Sequence, residues 1–255
     1  MSNIPQGGLL MKNERQKTII KMLNNETYFS VKTLSNIFKV SEMTIRRDII
    51  ELEEDNLVIK EHGGVKKKNK ILTTSEKMNK NVPQKEYIGR VMNKIINKDD
   101  VIFVGAGTTF YHALKQIDFS YKAILTNSII SFNLLMENEH RNIYLTGGEL
   151  FKQTGEFVGE HAEALLDAFN INKAFLATNG IDNRNITTSS PALARIQNKA
   201  ITLAEQSFVL ADYSKFDYSD TYTFNTLDNI TALLTDNQLS TELINKYSQY
   251  TKLIR

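Results

Sequence analysis

Apolar residues fall at helical spacing over Ile19, Ile20 and Leu23, and again over Leu34, Ile37 and Phe38. Ser30 stands where it caps the second of these helices. After a tight turn at Lys39–Val40, Ser41 caps a third helix, which the pattern carries to about Asp55. With Ile45 at angle zero, Ile49 and Leu52 fall within about 40° of it and form a buried seam. Met43 and Arg47 then point the opposite way, with Thr44 and Arg46 on the flanks. An extended stretch, Leu57–Val58–Ile59, leads to His62–Gly63–Gly64–Val65. Helix, helix, turn, helix and small hairpin make a winged helix-turn-helix over residues 12–66.

The hydrophobic pattern lapses over residues 67–83, which begin inside the cluster Lys66–Lys67–Lys68 and end at Pro83. This segment is expected to be a linker. The lysines fit a solvated tether, with a grazing phosphate contact as the alternative. From residue 84 to 255, short apolar strands alternate with helices. The strands are Val101–Val104, Ala123–Leu125, Ile143–Leu145, Ala174–Leu176, Phe208–Leu210 and Ala232–Leu234. Helices are expected at Ser128–Met136 and near 160–169, 191–206 and 239–247. The implied fold class is α/β, with a mostly parallel sheet covered on both faces.

A chain of 255 residues suits two domains. It has no cysteine, which excludes disulfides, thiolate metal sites and cysteine nucleophiles and fits a cytoplasmic protein. No apolar run is long enough to span a membrane. Residues 1–11 have neither the basic start nor the apolar stretch of a signal peptide. They are set aside as a leader or expression remnant, with Met11 a candidate start. The net charge of +2 is unevenly placed: residues 12–70 hold 13 Lys/Arg against 9 Asp/Glu, so the front is basic and the body mildly acidic. One end is therefore suited to a polyanion.

Ser41, Met43, Thr44, Arg46 and Arg47 put hydroxyl and guanidinium groups on the outer face of the third helix. A recognition helix offers such groups to base edges in the major groove, and its N-terminus to a backbone phosphate. The segment Val40–Ser41–Glu42–Met43–Thr44–Ile45–Arg46–Arg47–Asp48, with Leu52 and His62–Gly63–Gly64, closely resembles the N-terminal signature of the DeoR family of bacterial regulators. The resemblance implies double-stranded operator DNA as a partner, with the helix from Ser41 reading bases and His62, Gly63 and Gly64 in the wing. His62 itself fits either a phosphate contact or a packing role. The family commonly has glycine where this chain has Asn56, a mild departure because asparagine also tolerates the left-handed conformation.

In the second half, Gly105–Ala106–Gly107–Thr108–Thr109 joins a strand to a helix. Its glycines let backbone approach an anion, and Thr108 and Thr109 add hydroxyls. A tight capped turn would explain the same residues. No lysine follows at nucleotide-binding spacing, which argues against ATP. Thr126–Asn127–Ser128, Gly147–Gly148–Glu149 and Asp212–Tyr213–Ser214–Lys215–Phe216 follow other strands, so they gather at one sheet edge, where open parallel sheets bind ligands. Lys215 is suited to neutralising a phosphate and Asp212 to accepting sugar hydroxyls.

This set, with Asn179–Gly180, resembles the C-terminal sensor domain of the DeoR family. That domain is similar in fold to ribose-5-phosphate isomerase and glucosamine-6-phosphate deaminase. The resemblance implies a phosphorylated sugar as effector, over Gly105, Gly107, Thr108, Thr109, Thr126, Asn127, Ser128, Gly147, Gly148 and Lys215. The stretch from Lys215 to Leu227 looks most like regulators of lactose and fructose phosphotransferase operons, which points to tagatose 6-phosphate or a fructose phosphate. Around Ser190–Pro191–Ala192–Leu193–Ala194 the family often has acidic residues, and this chain has none. That departure keeps a pocket that no longer responds to ligand among the alternatives.

His62, His112, His140 and His161 lack metal-ligand spacing, so no metal and no cofactor is expected. Glu156 and Glu160 are expected on a solvated face, and Phe151, Phe157 and Phe169 in the core. The expected function is a homo-oligomeric transcription regulator, most simply a repressor relieved by ligand. The rival is a phosphosugar isomerase or deaminase with a DNA-binding head, for which Asp212 or Glu149 would have to serve as acid or base.

Overall fold

A computed structural model describes residues 12–23, 26, 28–55, 57–67, 74–117 and 121–255. The expected leader, Asn56, Lys68 and the rest of residues 68–73 lie outside the described residues. The chain forms two compact units, residues 1–70 and 71–255.

The first unit is built from α1 (Lys12–Met22), β1 (Tyr28–Ser30), α2 (Val31–Phe38), α3 (Glu42–Glu54), β2 (Val58–Glu61) and β3 (Gly64–Lys67). Ser30 caps α2 by accepting from the Thr33 amide at 3.0 Å, and Lys39, in the left-handed region at φ 52°, ends it. Ser41 starts α3 in the same way, accepting from the Thr44 amide. Ile19, Leu34, Ile45, Ile49, Leu52, Val58 and Val65 close one apolar core. The antiparallel sheet runs β1–β3–β2, and the His62–Gly63 turn joins β2 to β3. This is the expected winged helix-turn-helix. Lys66 and Lys67 belong to β3 rather than to a tether, because β3 pairs with strands on both sides.

The second unit begins with α4 (Thr74–Met78) and α5 (Val82–Asn93). Then follow β4 (Val101–Val104), α6 (Thr108–Leu114), β5 (Ala123–Thr126), α7 (Ile129–Glu137), β6 (Ile143–Leu145), β7 (Glu149–Phe151), β8 (Glu156–Val158), α8 (Glu160–Asp167) and β9 (Lys173–Ala177). The chain ends with β10 (Gly180–Asp182), β11 (Asn185–Thr188), α9 (Pro191–Leu203), β12 (Gln206–Leu210), β13 (Tyr222–Thr226), β14 (Ala232–Leu234), α10 (Thr241–Tyr247) and β15 (Leu253–Ile254).

Seven strands form one sheet in the order β15–β14–β12–β9–β4–β5–β6, with every pairing parallel. Successive side chains alternate between its faces. Ile102, Val104 and Phe175 join the layer of α5, α6 and α7, while Phe103, Ala174 and Leu176 join the layer of α8, α9 and α10. Gly89 lets α5 approach α6, since a Cβ there would stand 2.6 Å from Ala113 Cα. The chain leaves β4 toward β5 and β6, then returns to β9 and continues to β12, β14 and β15. The reversal puts the crevice between β4 and β9.

Two parts of this unit carry little hydrophobic signal. The segment 67–83, expected as a linker, contains α4 and the start of α5. Polar contacts hold α4, with Thr74 Oγ1 donating to the Thr154 carbonyl at 2.9 Å and His112 Nε2 lying 2.9 Å from the Met78 carbonyl. The antiparallel pieces β7–β8 and β10–β11–β13 are also additions to the expected series.

Candidate functional site

On α3, Ile45, Ile49 and Leu52 are buried as a seam, while Met43 is 62% exposed and Arg46 and Arg47 are exposed. Ser41 Oγ and Thr44 Oγ1 share a hydrogen bond of 2.9 Å at the helix start. Arg46 reaches back to Glu42 at 3.4 Å, whereas Arg47 makes no ion pair among the described residues. The surface thus carries one guanidinium held along the helix and one directed outward.

Asp48, on the same helix, is buried and receives two hydrogen bonds from Arg15 of α1, the longer of them 3.0 Å. This pair holds the Arg15 guanidinium above its already high range, against the opposing effect of burial. Periodicity gives no hint of it, because a charged residue beside an apolar seam looks like any flank. In the wing, His62 is exposed and Gly63 has φ +80°. Gly64 has a packing reason: a Cβ there would meet Tyr28 Oη at 2.4 Å and the Phe29 carbonyl at 2.5 Å.

In the second unit a cavity of about 250 Å³ opens at the crevice between β4 and β9. Gly107, Thr108, Thr109, Asn179, Asp212 and Lys215 line it, as the sheet-edge argument expects. Gly105, Thr126, Asn127, Ser128, Gly147, Gly148 and Glu149 are not among its lining residues. Gly105 is spent on the sheet, its amide donating to the Phe175 carbonyl at 2.9 Å. Thr126, Asn127 and Ser128 are buried, and the hairpin β7–β8 lies against them: the Phe157 amide donates to the Asn127 carbonyl at 2.7 Å. Ser128 caps α7. Gly147 and Gly148 turn the chain into that hairpin with positive φ, and Glu149 is exposed on it. The β7–β8 hairpin packs on the residues after β5 and supplies Glu156 to the cavity in their place, so a shared sheet edge does not bring them there.

What sequence reasoning missed is the basic wall. Lys77, Lys80 and Lys85, from α4 to α5, line the cavity together with Lys215. Lys77 Nζ donates to Asn179 Oδ1 at 2.9 Å, and Asn179 Nδ2 in turn donates to Asp220 at 2.8 Å. Lys85 is 4% exposed, and burial pulls its pKa down to about 8, with Asp212 opposing and Lys215, Lys77 and Lys80 adding to the fall. Lys77 is lowered too, first by burial and then by Lys215. Mutually repelling ammonium groups held out of water favour an anion between them. The only available signal was that the poorly patterned segment 67–83 is rich in lysine.

Asp212 is buried and already engaged: it accepts from the Ser214 amide at 3.0 Å and from Asn81 Nδ2 at 3.0 Å. That leaves it positioning the Lys215 turn as well as facing the cavity. Glu156 corrects the expectation of a solvated face, because β8 rather than a helix carries it and the residue is 8% exposed on the cavity wall. Burial raises its pKa, while Thr154, Asn127 and the charge of Lys77 act the other way. Ser189 and Gln197 also line the cavity, and their Oγ and Oε1 atoms are buried without a hydrogen bond inside the protein. Ser189 precedes α9, whose start Ser190 caps by accepting from the Leu193 amide, and Gln197 lies within that helix.

A winged helix and a separate α/β unit with a basic cavity define a two-part regulator. Residues 15–70 match the model of the DeoR-like helix-turn-helix domain, and residues 80–237 match that of the DeoR C-terminal sensor domain. The chain belongs to the DeoR family. It is 31% identical to the lactose phosphotransferase system repressor of Streptococcus mutans, covering 96% of this chain and 100% of that protein. Its identity to the repressor of the same name from Lactococcus lactis is 34%, covering 96% and 98%. Among solved structures it is similar to ribose 5-phosphate isomerase A from Neisseria gonorrhoeae, at 13% identity, a TM-score of 0.38 and 53% coverage of each chain. Among the described residues, no helix is long and apolar enough to cross a membrane.

Proposed function

We propose that this chain is a DNA-binding repressor of a lactose-type phosphotransferase operon, released from its operator by a phosphorylated sugar. Residues 12–66 hold DNA, and the cavity of the second unit holds the effector. The observation that carries the effector class is four lysines, Lys77, Lys80, Lys85 and Lys215, against Glu156 and Asp212 around one small cavity. Such an excess of positive charge in a partly buried site selects an anion. At about 250 Å³ the cavity is below the range usual for drug-sized ligands, which suits a single sugar phosphate. The repressors named above, similar along nearly the whole chain, support the direction of regulation.

Two or more subunits present α3 to repeated half-sites, and effector binding favours an arrangement in which that spacing no longer fits. The sugar acts only through its different affinity for the two arrangements. Tagatose 6-phosphate and the fructose phosphates are the first candidates, from the resemblance of residues 215–227 to regulators of lactose and fructose phosphotransferase operons.

The test selects a binding duplex from random sequence and titrates the full chain onto it, with and without each sugar phosphate, by fluorescence anisotropy. One of these sugars should weaken the complex. Failure to retain any duplex at low salt overturns the DNA reading, and turnover of a sugar phosphate overturns the sensor reading.

A further inference from the structure

Helix α4 is fastened to its unit by polar contacts. No described side chain of Thr74–Met78 is fully buried, and Met78, its one large apolar residue, is half-buried. Thr74 Oγ1 donates to the Thr154 carbonyl at 2.9 Å, Lys77 Nζ donates to Asn179 Oδ1 at 2.9 Å, and Lys85 Nζ donates to the Lys77 carbonyl at 2.8 Å. Those five residues all line the effector cavity. A fourth contact, between His112 Nε2 and the Met78 carbonyl at 2.9 Å, lies outside its lining.

An element with so few buried apolar contacts opens locally at a low free-energy cost. Docking it also crowds like charges, because Lys77 and Lys80 join Lys85 and Lys215 at one cavity. Asp220, Glu156 and Glu76 offset part of that repulsion on Lys77, whose pKa is nevertheless lowered, first by burial and then by Lys215. An anion in the cavity relieves the remainder, so it binds better when α4 is docked. Along the chain, residues 68–73 alone separate β3 of the first unit from α4.

We propose that α4 is the two-state element that couples the two units: a phosphate in the cavity holds it docked, and a bound duplex favours its release. The inference rests on the sugar-phosphate reading above and names the regulation of that site. Coupling is reciprocal, so an effector that loosens DNA is itself disfavoured by DNA. An element that the effector docks must then be one that the duplex frees, and both biases are measurable on it.

The experiment is hydrogen–deuterium exchange on the full chain, alone, with inorganic phosphate, with the 6-phosphates of fructose and tagatose, and with a duplex selected for binding. Calorimetry and anisotropy establish which of these are bound. The peptide spanning residues 74–81 should exchange at least about fivefold more slowly with a bound phosphate, the lower end of usual coupling between sites. On the duplex it should exchange at least about fivefold faster. The duplex arm discriminates, because any ligand against the cavity wall protects that wall. Unchanged or slower exchange of this peptide on the duplex overturns the inference. Unchanged or faster exchange with a phosphate that calorimetry shows to be bound also overturns it; in both cases the sugar-phosphate reading stands. No binding of inorganic phosphate or of either sugar phosphate overturns that reading, and the inference with it.

Discussion

The ammonium of Lys85 donates to the backbone carbonyl of Lys77 across 2.8 Å, so two of the pocket's basic residues are joined through the main chain of α4. Lys85 is buried and has a pKa of about 8. A bound phosphate favours the charged form, so above pH 8 the site must take up a proton before it can bind. Effector affinity should fall by up to about tenfold per pH unit above 8. Below about pH 6 the ligand itself begins to lose its second negative charge. Calorimetry from pH 7 to pH 9.5 checks this, and a flat affinity would remove Lys85 from the binding site.

The same depressed pKa acts on folding with a different sign. Between pH 8 and 10.5 the unfolded chain holds a proton on Lys85 that the folded chain has released. Its contribution to stability therefore rises with pH across that window. Urea midpoints of wild type and Lys85→Met, compared without ligand, should converge as the pH rises from 8 to 10. A constant difference would mean that the ammonium is not desolvated in the fold.

Lys215→Ala separates the two halves of the proposed mechanism. The residue lines the cavity on a short turn capped by Asp212, which accepts from the Ser214 amide without help from Lys215. Removing the side chain should weaken the effector response by about tenfold or more, the usual consequence of losing a charge-assisted hydrogen bond. DNA affinity without effector should stay unchanged. Equal loss of both in the anisotropy assay would argue against separate sites.

The chain declares its folds more openly than its pocket. The third-helix seam and the six apolar strands are periodic features, because burial on one face or two imposes spacing. Gly107, Thr108, Thr109, Asn179, Asp212 and Lys215 were legible because they follow the neighbouring strands β4, β9 and β12, whose ends open onto the cavity. Glu149 and the residues after β5 follow strands too, yet Glu149 lies on the β7–β8 hairpin, which packs on the end of β5, and no hydrophobic pattern announces that hairpin. Lys77 and Lys85 were illegible for another reason. Polar anchors hold α4, Lys85 sits among the apolar residues of α5, and no periodicity marks a lysine that points inward.

Gly64 should not tolerate a side chain, even though it lies in an exposed wing. A Cβ would sit 2.5 Å from the Phe29 carbonyl, a backbone atom that cannot rotate away, and closer still to Tyr28 Oη. Gly64→Ala should cost about 1–3 kcal/mol in the stability of the first unit, the scale of overpacking. Thermal unfolding followed by circular dichroism on wild type and variant tests this. An unchanged transition would return Gly64 to a role at the DNA surface.

Asp48→Ala should damage the same unit more severely. It leaves the Arg15 guanidinium buried without its carboxylate, where the two side chains are now 7% and 2% exposed. Breaking a buried pair from one side costs about 3–5 kcal/mol. That is a large share of the stability of a unit this small. Loss of DNA binding in this variant should therefore accompany loss of helical signal, with inorganic phosphate still bound by the second unit. Full stability would mean that the pair is dispensable to the fold.

Arg47→Ala is the counterpart, because Arg47 is exposed on α3 and has no ion pair among the described residues. Its removal leaves the Ile45–Ile49–Leu52 seam and the Arg15–Asp48 pair in place. The unfolding transition should not move, while affinity for a selected duplex should fall by about 1–3 kcal/mol if Arg47 reads a base. The sequence dependence of the loss tells base from backbone. A base contact relaxes preference at one position of the site, whereas a phosphate contact weakens all duplexes alike and lowers the salt dependence by about one counterion. Unchanged affinity on every duplex would take Arg47 off the reading face and leave Arg46, Thr44 and Met43 to account for any specificity.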